Sequence, residues 1–179
     1  MNHQDHVGLI QDGIHKQQGV WADFGSGRGA FTLALADLLE PPAEIYSIDQ
    51  DRSSLTQQRA VLNKQFPLIK VHYQQVDFRK RIDLPPLDGL VIANALHFVP
   101  DKFKGPMLKM LHDYLKPSGR LIMVEYNVDH GNHWVPYPFS FQRWTQMAAK
   151  SGFGETRLLA TRPSRFLGEI YAAVSVKGS

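Results

Sequence analysis

Seven residues near the start of the chain, Asp23-Phe24-Gly25-Ser26-Gly27-Arg28-Gly29, place a carboxylate just ahead of three alternating glycines. Glycine takes positive φ at no steric cost and lets a ligand approach the backbone closely. The run Val20-Trp21-Ala22-Asp23-Phe24 leads in as a strand, and Phe31, Ala34, Leu35, Leu38 and Leu39 follow at helical spacing. Strand, glycine turn and helix in that order point free amides and the positive end of a helix dipole at one place. That is a general device for holding nucleotides. A purely structural glycine turn is the competing reading.

Asp49 lies twenty residues beyond Gly29, at the tip of a second strand, Glu44-Ile45-Tyr46-Ser47-Ile48. A carboxylate there can accept hydrogen bonds from both hydroxyls of an adenine-linked ribose; alternatively it caps the next helix, with Asp51, Ser53 and Ser54 nearby. Gly25-Ser26-Gly27-Arg28-Gly29-Ala30 also fits a dinucleotide fingerprint. Three features oppose that alternative. Asp23 suits a cationic ligand group better than a pyrophosphate, the chain leaves no room for a substrate domain, and its end is not a second mononucleotide-binding half.

The elements that would position these residues alternate along the chain. Pro41-Pro42 stops the first helix. A helix reaches about Gln65, and Ile69, Val71 and Tyr73 alternate as a third strand. Leu87 to Ala93 is a more continuous apolar run, as expected for a central parallel strand covered on both faces. Pro100-Asp101 opens a helix bearing Phe103, Met107, Met110, Leu111, Tyr114 and Leu115, Lys116-Pro117-Ser118-Gly119 reads as a turn, and Leu121 to Tyr126 reads as a fifth strand. Phe141, Trp144, Thr145 and Ala148 suggest a last helix, closed near Gly152. Thr156 to Thr161 and Leu167 to Val176 are two strands joined only by Arg162-Pro163-Ser164-Arg165, a connection so short that it demands antiparallel pairing. The expectation is an α/β chain with five parallel strands and a closing hairpin.

Composition narrows the possibilities. The 179 residues fit one domain, with 1–18 as a short N-terminal segment, and 43% hydrophobic residues exclude a disordered chain. No cysteine is present, so disulfides, cysteine nucleophiles and thiolate metal sites are excluded. No stretch approaches the ~20 apolar residues of a membrane span, and Met1-Asn2-His3-Gln4-Asp5-His6 lacks a signal-peptide layout. These features suggest a soluble, cytoplasmic protein. A formal charge of +3 leaves nucleic acid a possible partner without favouring it.

Taken together, the segments resemble the class I S-adenosylmethionine-dependent methyltransferases, from about Gly19 to Val176. The glycine turn looks like that family's first motif and Ile45-Tyr46-Ser47-Ile48-Asp49 its acidic second. Gln75-Val76-Asp77-Phe78 looks like the third, Leu87 through Phe98 the fourth, and Leu115 through Leu121 the turn before the fifth strand. The resemblance implies a Rossmann-like three-layer sandwich, a mostly parallel seven-stranded sheet with a C-terminal antiparallel hairpin. It implies S-adenosylmethionine as cofactor and S-adenosylhomocysteine as product. It further implies that Asp23 and the backbone of Gly25, Ser26, Gly27 and Gly29 hold the methionine part, and that Asp49 binds ribose with Gln50 beside the adenine. Asp77 and the Phe78 amide would read the adenine edge, and Asn94 and Ala95 would lie near the sulfonium. Asp77 as a turn cap, Phe78 as core and Asn94 as a structural strand end are the bland alternatives.

The acceptor side is less defined. His97 follows the fourth strand and is the candidate general base, with a packing role as the competing reading. DNA-base amino methyltransferases often carry Asn-Pro-Pro and an aromatic where this chain has Asn94-Ala95-Leu96-His97. That departure favours a small-molecule acceptor. After the fifth strand, His133, Trp134 and Tyr137 are candidates for substrate binding, or the aromatics for a homodimer surface. Asp129, His130 and His133 do not form a recognisable metal-ligand set, so no metal is expected. A cofactor-binding module without catalysis, or an RNA or protein methyltransferase, are the alternatives.

Overall fold

A computed structural model describes residues 1–178. The elements are α1 (His3–Ile10), β1 (Val20–Phe24), α2 (Ala30–Leu38), β2 (Glu44–Asp49), α3 (Arg52–Gln65), β3 (Lys70–Gln75), β4 (Leu87–Ala93), α4 (Asp101–Tyr114), β5 (Leu115–Tyr126), α5 (Phe141–Lys150), β6 (Phe153–Ser164) and β7 (Gly168–Lys177). The strands form one sheet in the order β3-β2-β1-β4-β5-β7-β6. β1 to β5 pair in parallel, while β7 runs antiparallel to both β5 and β6. The architecture is Rossmann-like, and the strand direction changes only at β7.

Two apolar layers sandwich the sheet because successive strand residues face opposite sides. Leu90 and Ile92 of β4, with Leu121 and Met123 of β5, pack against Leu108 and Leu111 of α4 and Trp144 of α5. Val91, Ala93, Ile122 and Val124 face the other layer, with Leu9 and Ile10 of α1, Phe31 and Leu35 of α2 and Leu62 of α3. All seven residues of β4 are buried, including Asp88, whose carboxylate accepts from the Val20 amide and from Lys116.

One feature differs from the sequence reading and two go beyond it. β5 begins at Leu115, because the Lys116-Pro117-Ser118-Gly119 turn sits inside the strand as a bulge. Leu87 pairs with Leu115 but Gly89 already pairs with Arg120, and Ser118 takes φ of 61°. The closing hairpin folds back so that β7 lies between β5 and β6. The N-terminal segment contains a helix, α1, held by an Asn2–Asp5 capping box and buried through Val7, Leu9 and Ile10.

The chain leaves β1 toward β2 on one side, and β4 lies on the other side of β1. The carboxyl ends of β1 and β4 are therefore the switch point, where connections diverge and open a crevice. The glycine turn follows β1 and Asn94 follows β4.

Candidate functional site

The glycine turn is held by hydrogen bonds from three directions. Gly25 and Ser26 amides donate to the Ile48 carbonyl at 2.9 and 3.0 Å, so the turn is stapled to the end of β2. Ser47 Oγ donates to Gln58 Oε1 at 2.9 Å, and Gln58 Nε2 lies 3.0 Å from Ser26 Oγ and 2.9 Å from the Gly27 carbonyl. The Gly27 amide donates to Asp49 Oδ2 at 2.8 Å. Gly25, Gly27 and Gly29 all have positive φ, at 74°, 52° and 85°. At Gly25 a Cβ would lie 2.7 Å from the Ala95 methyl and 3.3 Å from the Phe78 ring, and at Gly29 one would lie 2.6 Å from Gln58 Cβ. Glycine is thus required by conformation and by space at both positions.

The Asp49 carboxylate is oriented by two amides, Gly27 on Oδ2 and Asp51 on Oδ1, each at 2.8 Å. Each oxygen keeps a further lone pair, so a vicinal diol could still donate to it. Helix α3 is capped separately by Asp51, which accepts from the Ser53 and Ser54 amides. This leaves the helix-cap alternative for Asp49 without a function to perform.

Asp23 is buried, and its Oδ2 accepts from Thr32 Oγ1 at 2.7 Å. Burial raises the carboxyl to about 7; the Thr32 hydrogen bond opposes this and the nearby Asp49 charge adds to it. A buried acid lacking a cation beside the glycine turn matches the chemistry of an ammonium ligand. The surrounding residues fit an amino-acid-bearing nucleoside: two glycines that admit no side chain, a pinned carboxylate and a buried acid.

Asp77 also sits on this side, but its carboxylate takes Arg79 Nε and Nη2 at 2.9 and 2.8 Å, and this pairing holds the acid below its ordinary range. Gln50 is exposed, and its carbonyl lies 3.5 Å from Gln75 Nε2. Ala95 and Phe78 act first as packing against Gly25.

At the end of β4, Asn94 takes φ of 50°, and its side-chain oxygen is buried with no hydrogen-bond partner. A left-handed non-glycine residue with an unpaired acceptor is a costly combination, and such strain collects at functional sites. Beyond it, in a single 3-10 turn over Leu96–Phe98, His97 is buried. Its Nδ1 lies 2.9 and 3.0 Å from the two oxygens of Glu125, on the neighbouring strand β5. Glu125 is 0% exposed and also accepts from the Tyr126 amide at 2.7 Å. A carboxylate facing Nδ1 keeps the proton there and leaves the Nε2 lone pair available; among the described residues no side chain or carbonyl bonds to Nε2.

The loop between β5 and α5 is shaped by its own polar residues. Asn132 accepts from Trp134 and Val135 amides, and Asp129 accepts from the Ser140 amide and hydroxyl. The Tyr137 amide donates to the His97 carbonyl, and buried Lys104 donates to the Tyr137 carbonyl and to Asp101. Tyr137 is thereby tied to the His97 turn. Trp134, however, is 73% exposed, and His133 stacks edgewise on it at the surface. Neither lines the cleft beside Asn94. Among the described residues no group of three His, Asp or Glu side chains is placed to hold a metal ion.

Sequence reasoning missed Thr32, Ser47, Gln58 and Glu125. Two of these carry a signal in retrospect. Gln58 interrupts the apolar stripe Leu55, Leu62 of α3, and Glu125 is a charge inside the apolar run from Leu121 to Tyr126.

These features define a Rossmann-like α/β protein with its candidate site at the sheet's carboxyl edge. A family model described as a methyltransferase domain matches residues 15–157, and the chain belongs to that family. It is 25% identical over 144 residues to a carboxy-S-adenosyl-L-methionine synthase of Chromohalobacter salexigens, covering 78% of this chain and 51% of that protein. A protein of the same name from Shewanella frigidimarina is 28% identical over 112 residues, 62% of this chain and 46% of the relative. The chain thus spans about half the length of these curated relatives. Among solved structures, a methyltransferase from Bacillus halodurans superposes with a TM-score of 0.77 at 15% identity, over 98% of this chain and 100% of the other. The 1,6-didemethyltoxoflavin-N1-methyltransferase of Burkholderia thailandensis, solved with its namesake ligand and S-adenosylhomocysteine, gives 0.76 at 17% identity, covering 99% and 78%.

Proposed function

We propose that the chain transfers the methyl group of S-adenosylmethionine to a small-molecule acceptor bearing a hydroxyl or amine. The buried His97–Glu125 pair carries this reading. When bound, the cofactor supplies an electrophilic methyl group and needs no protein nucleophile. The chain's own residues supply position and a base. Asp49 takes the ribose diol, Asp23 pairs with the amino group, and the backbone from Gly25 to Gly29 follows the methionine part. Gln50, Asp77 and the Phe78 amide flank the adenine, with Arg79 sharing the Asp77 carboxylate. Asn94 and Ala95 border the reacting centre. Nε2 of His97 takes the acceptor's proton while Glu125 stays paired with the resulting imidazolium. Orientation can account for up to roughly 7–11 kcal/mol of such a reaction, and a positioned base for about 10²–10⁴-fold.

Incubation with labelled S-adenosylmethionine and a panel of phenols, hydroxy acids and amines, read by mass spectrometry, tests the proposal. The expected result is a methylated panel member and an equal amount of S-adenosylhomocysteine. Label only in RNA or protein would reject the small-molecule acceptor.

The identities to two carboxy-S-adenosyl-L-methionine synthases favour a second reading, in which the cofactor itself is modified. The same experiment separates the two. The carboxyl group must then come from a carboxylic acid included in the panel, whose carboxyl replaces one methyl hydrogen of the cofactor while the donor takes up that hydrogen. A carboxylated cofactor retaining its sulfonium, with a decarboxylated donor and no released S-adenosylhomocysteine, supports the second.

A further inference from the structure

A cleft of about 600 Å³ opens beside Asn94, on the side away from Asp49, and its far wall is the tip of the β6–β7 hairpin. The topology creates it. β6 runs parallel to β5, so the turn from Ser164 to Gly168 reaches the same sheet edge as Asn94. Three separate parts of the chain meet there: Asn94 after β4, Tyr126 at the end of β5, and Arg162 and Arg165 on the hairpin, with Asp5 of α1 closing the rim.

The charges of this cleft are unequal. Arg162 Nε lies 3.8 Å from Asp5 Oδ1, the only carboxylate among the lining residues, and its Nη1 donates to the Thr161 carbonyl at 2.8 Å. Arg165 is exposed and has no hydrogen bond or ion pair among the described residues. Two guanidinium groups against one carboxylate leave an excess of positive charge, and Met1, which bears the α-amino group, also lines the cleft. Phe166, 71% exposed, and Ile170 add an apolar surface beside it. At the opposite wall stands Asn94, whose unpaired side-chain oxygen is itself buried. The volume lies within the ordinary range of small-molecule sites, roughly 300–1,000 Å³.

We propose that this cleft binds the acceptor through a carboxylate, with Arg165 as its main partner and Arg162 as the second, while a hydroxyl or amine of the same molecule points toward the Asn94 end of the cleft. The inference rests on the acceptor reading above and names its chemical class: a hydroxy or amino acid with an apolar body. A guanidinium presents a planar fork that matches a carboxylate in two bonds. The excess of positive charge suits a carboxylate.

The test uses acids and their uncharged amides: 4-hydroxyphenylacetate with 4-hydroxyphenylacetamide, 3-hydroxybenzoate with its amide, and 3-hydroxybutyrate with its amide. Each is titrated calorimetrically into the protein, both alone and saturated with S-adenosylhomocysteine. At least one acid should bind about tenfold more tightly than its amide, the size of one charge-assisted contact. Arg165→Ala should reduce that preference to below about threefold, and Arg162→Lys, which keeps the charge facing Asp5, should reduce it less. No preference in any pair, or one that survives both substitutions, overturns the proposal. If instead both variants weaken S-adenosylhomocysteine itself by the same factor, the arginines serve the cofactor's own carboxylate, which also overturns it. Titrations without S-adenosylhomocysteine keep the acid preference measurable even if the cofactor fails to bind, so the two readings fail separately.

Discussion

The two sides of the crevice are built differently. On the β1–β2 side, the turn after Asp23 is closed by a network of Ser26, Ser47, Gln58 and Asp49, and most of its ligand-facing atoms are backbone. On the β4–β5–β7 side, the exposed Phe166 ring and two arginines face the opening, with Asn94 and Tyr126 at its base, contributed by elements far apart in sequence. The first side is shaped for one fixed partner. The second offers side chains, which can be exchanged without disturbing the fold. A shared cofactor and a variable acceptor would require that division.

Removing chemistry from the acceptor side without touching the cofactor side should have the largest effect. His97→Gln is expected to lower methyl transfer by about 10²–10⁴-fold while leaving S-adenosylhomocysteine affinity unchanged. Glu125→Gln should give a smaller loss and an altered pH–rate profile. Equal losses in rate and cofactor affinity would show that the pair only packs the turn.

Two glycines compare the sides directly, since Gly25 and Gly168 share φ of 74°. A Cβ at Gly25 meets Ala95 at 2.7 Å, whereas one at Gly168 meets nothing within 4 Å. Gly168→Ala should cost only the backbone term, about 1–2 kcal/mol. Gly25→Ala should add an overpacking term, roughly 1–3 kcal/mol more, and abolish cofactor binding. Urea denaturation of both variants checks the ranking.

Asp23 gives the cofactor side a pH dependence of known sign. Its folded carboxyl titrates at about 7, above its unfolded value, so the folded chain binds the extra proton between those two values. The unliganded protein therefore loses this group's stabilisation as pH rises toward about 7, and Asp23→Asn should lose less over that interval. S-adenosylhomocysteine binding should strengthen as pH passes about 7, when Asp23 ionises and can pair with an ammonium, and should stay flat in Asp23→Asn. The smallest effect belongs to Trp134. Because its side chain is largely in solvent, Trp134→Ala should change stability by less than about 0.5 kcal/mol, and a larger change in thermal unfolding would place it against a partner or in the acceptor wall.

The same asymmetry governs what the sequence reveals. The glycine turn, Asp49 and the largely apolar β4 are local patterns, and a strand-turn-helix needs only neighbours in the chain to be recognised. The His97–Glu125 contact spans 28 residues and two strands, and no spacing rule announces it. Helix α1 is hidden because only Val7, Leu9 and Ile10 are buried in a polar stretch. The turn composition of Lys116 to Gly119 is real, but pairing on both flanks absorbs it as a bulge. The position of β7 between β5 and β6 follows from pairing choices that two adjacent apolar runs leave open. Arg162 and Arg165 read as a hairpin connection until topology brings that tip to the crevice.

The division between the two sides rests on the proposal that Asp49 organises the cofactor site. Thermal unfolding with S-adenosylhomocysteine, for the unsubstituted chain and for Asp49→Ala, tests it most directly. At about a hundred times its dissociation constant, the ligand should stabilise the unsubstituted chain by roughly 2.7 kcal/mol, worth about 2–4 °C per kcal/mol in a chain of this size. Asp49→Ala should lose most of that shift. No shift in the unsubstituted chain, or an equal shift in both, would contradict the account.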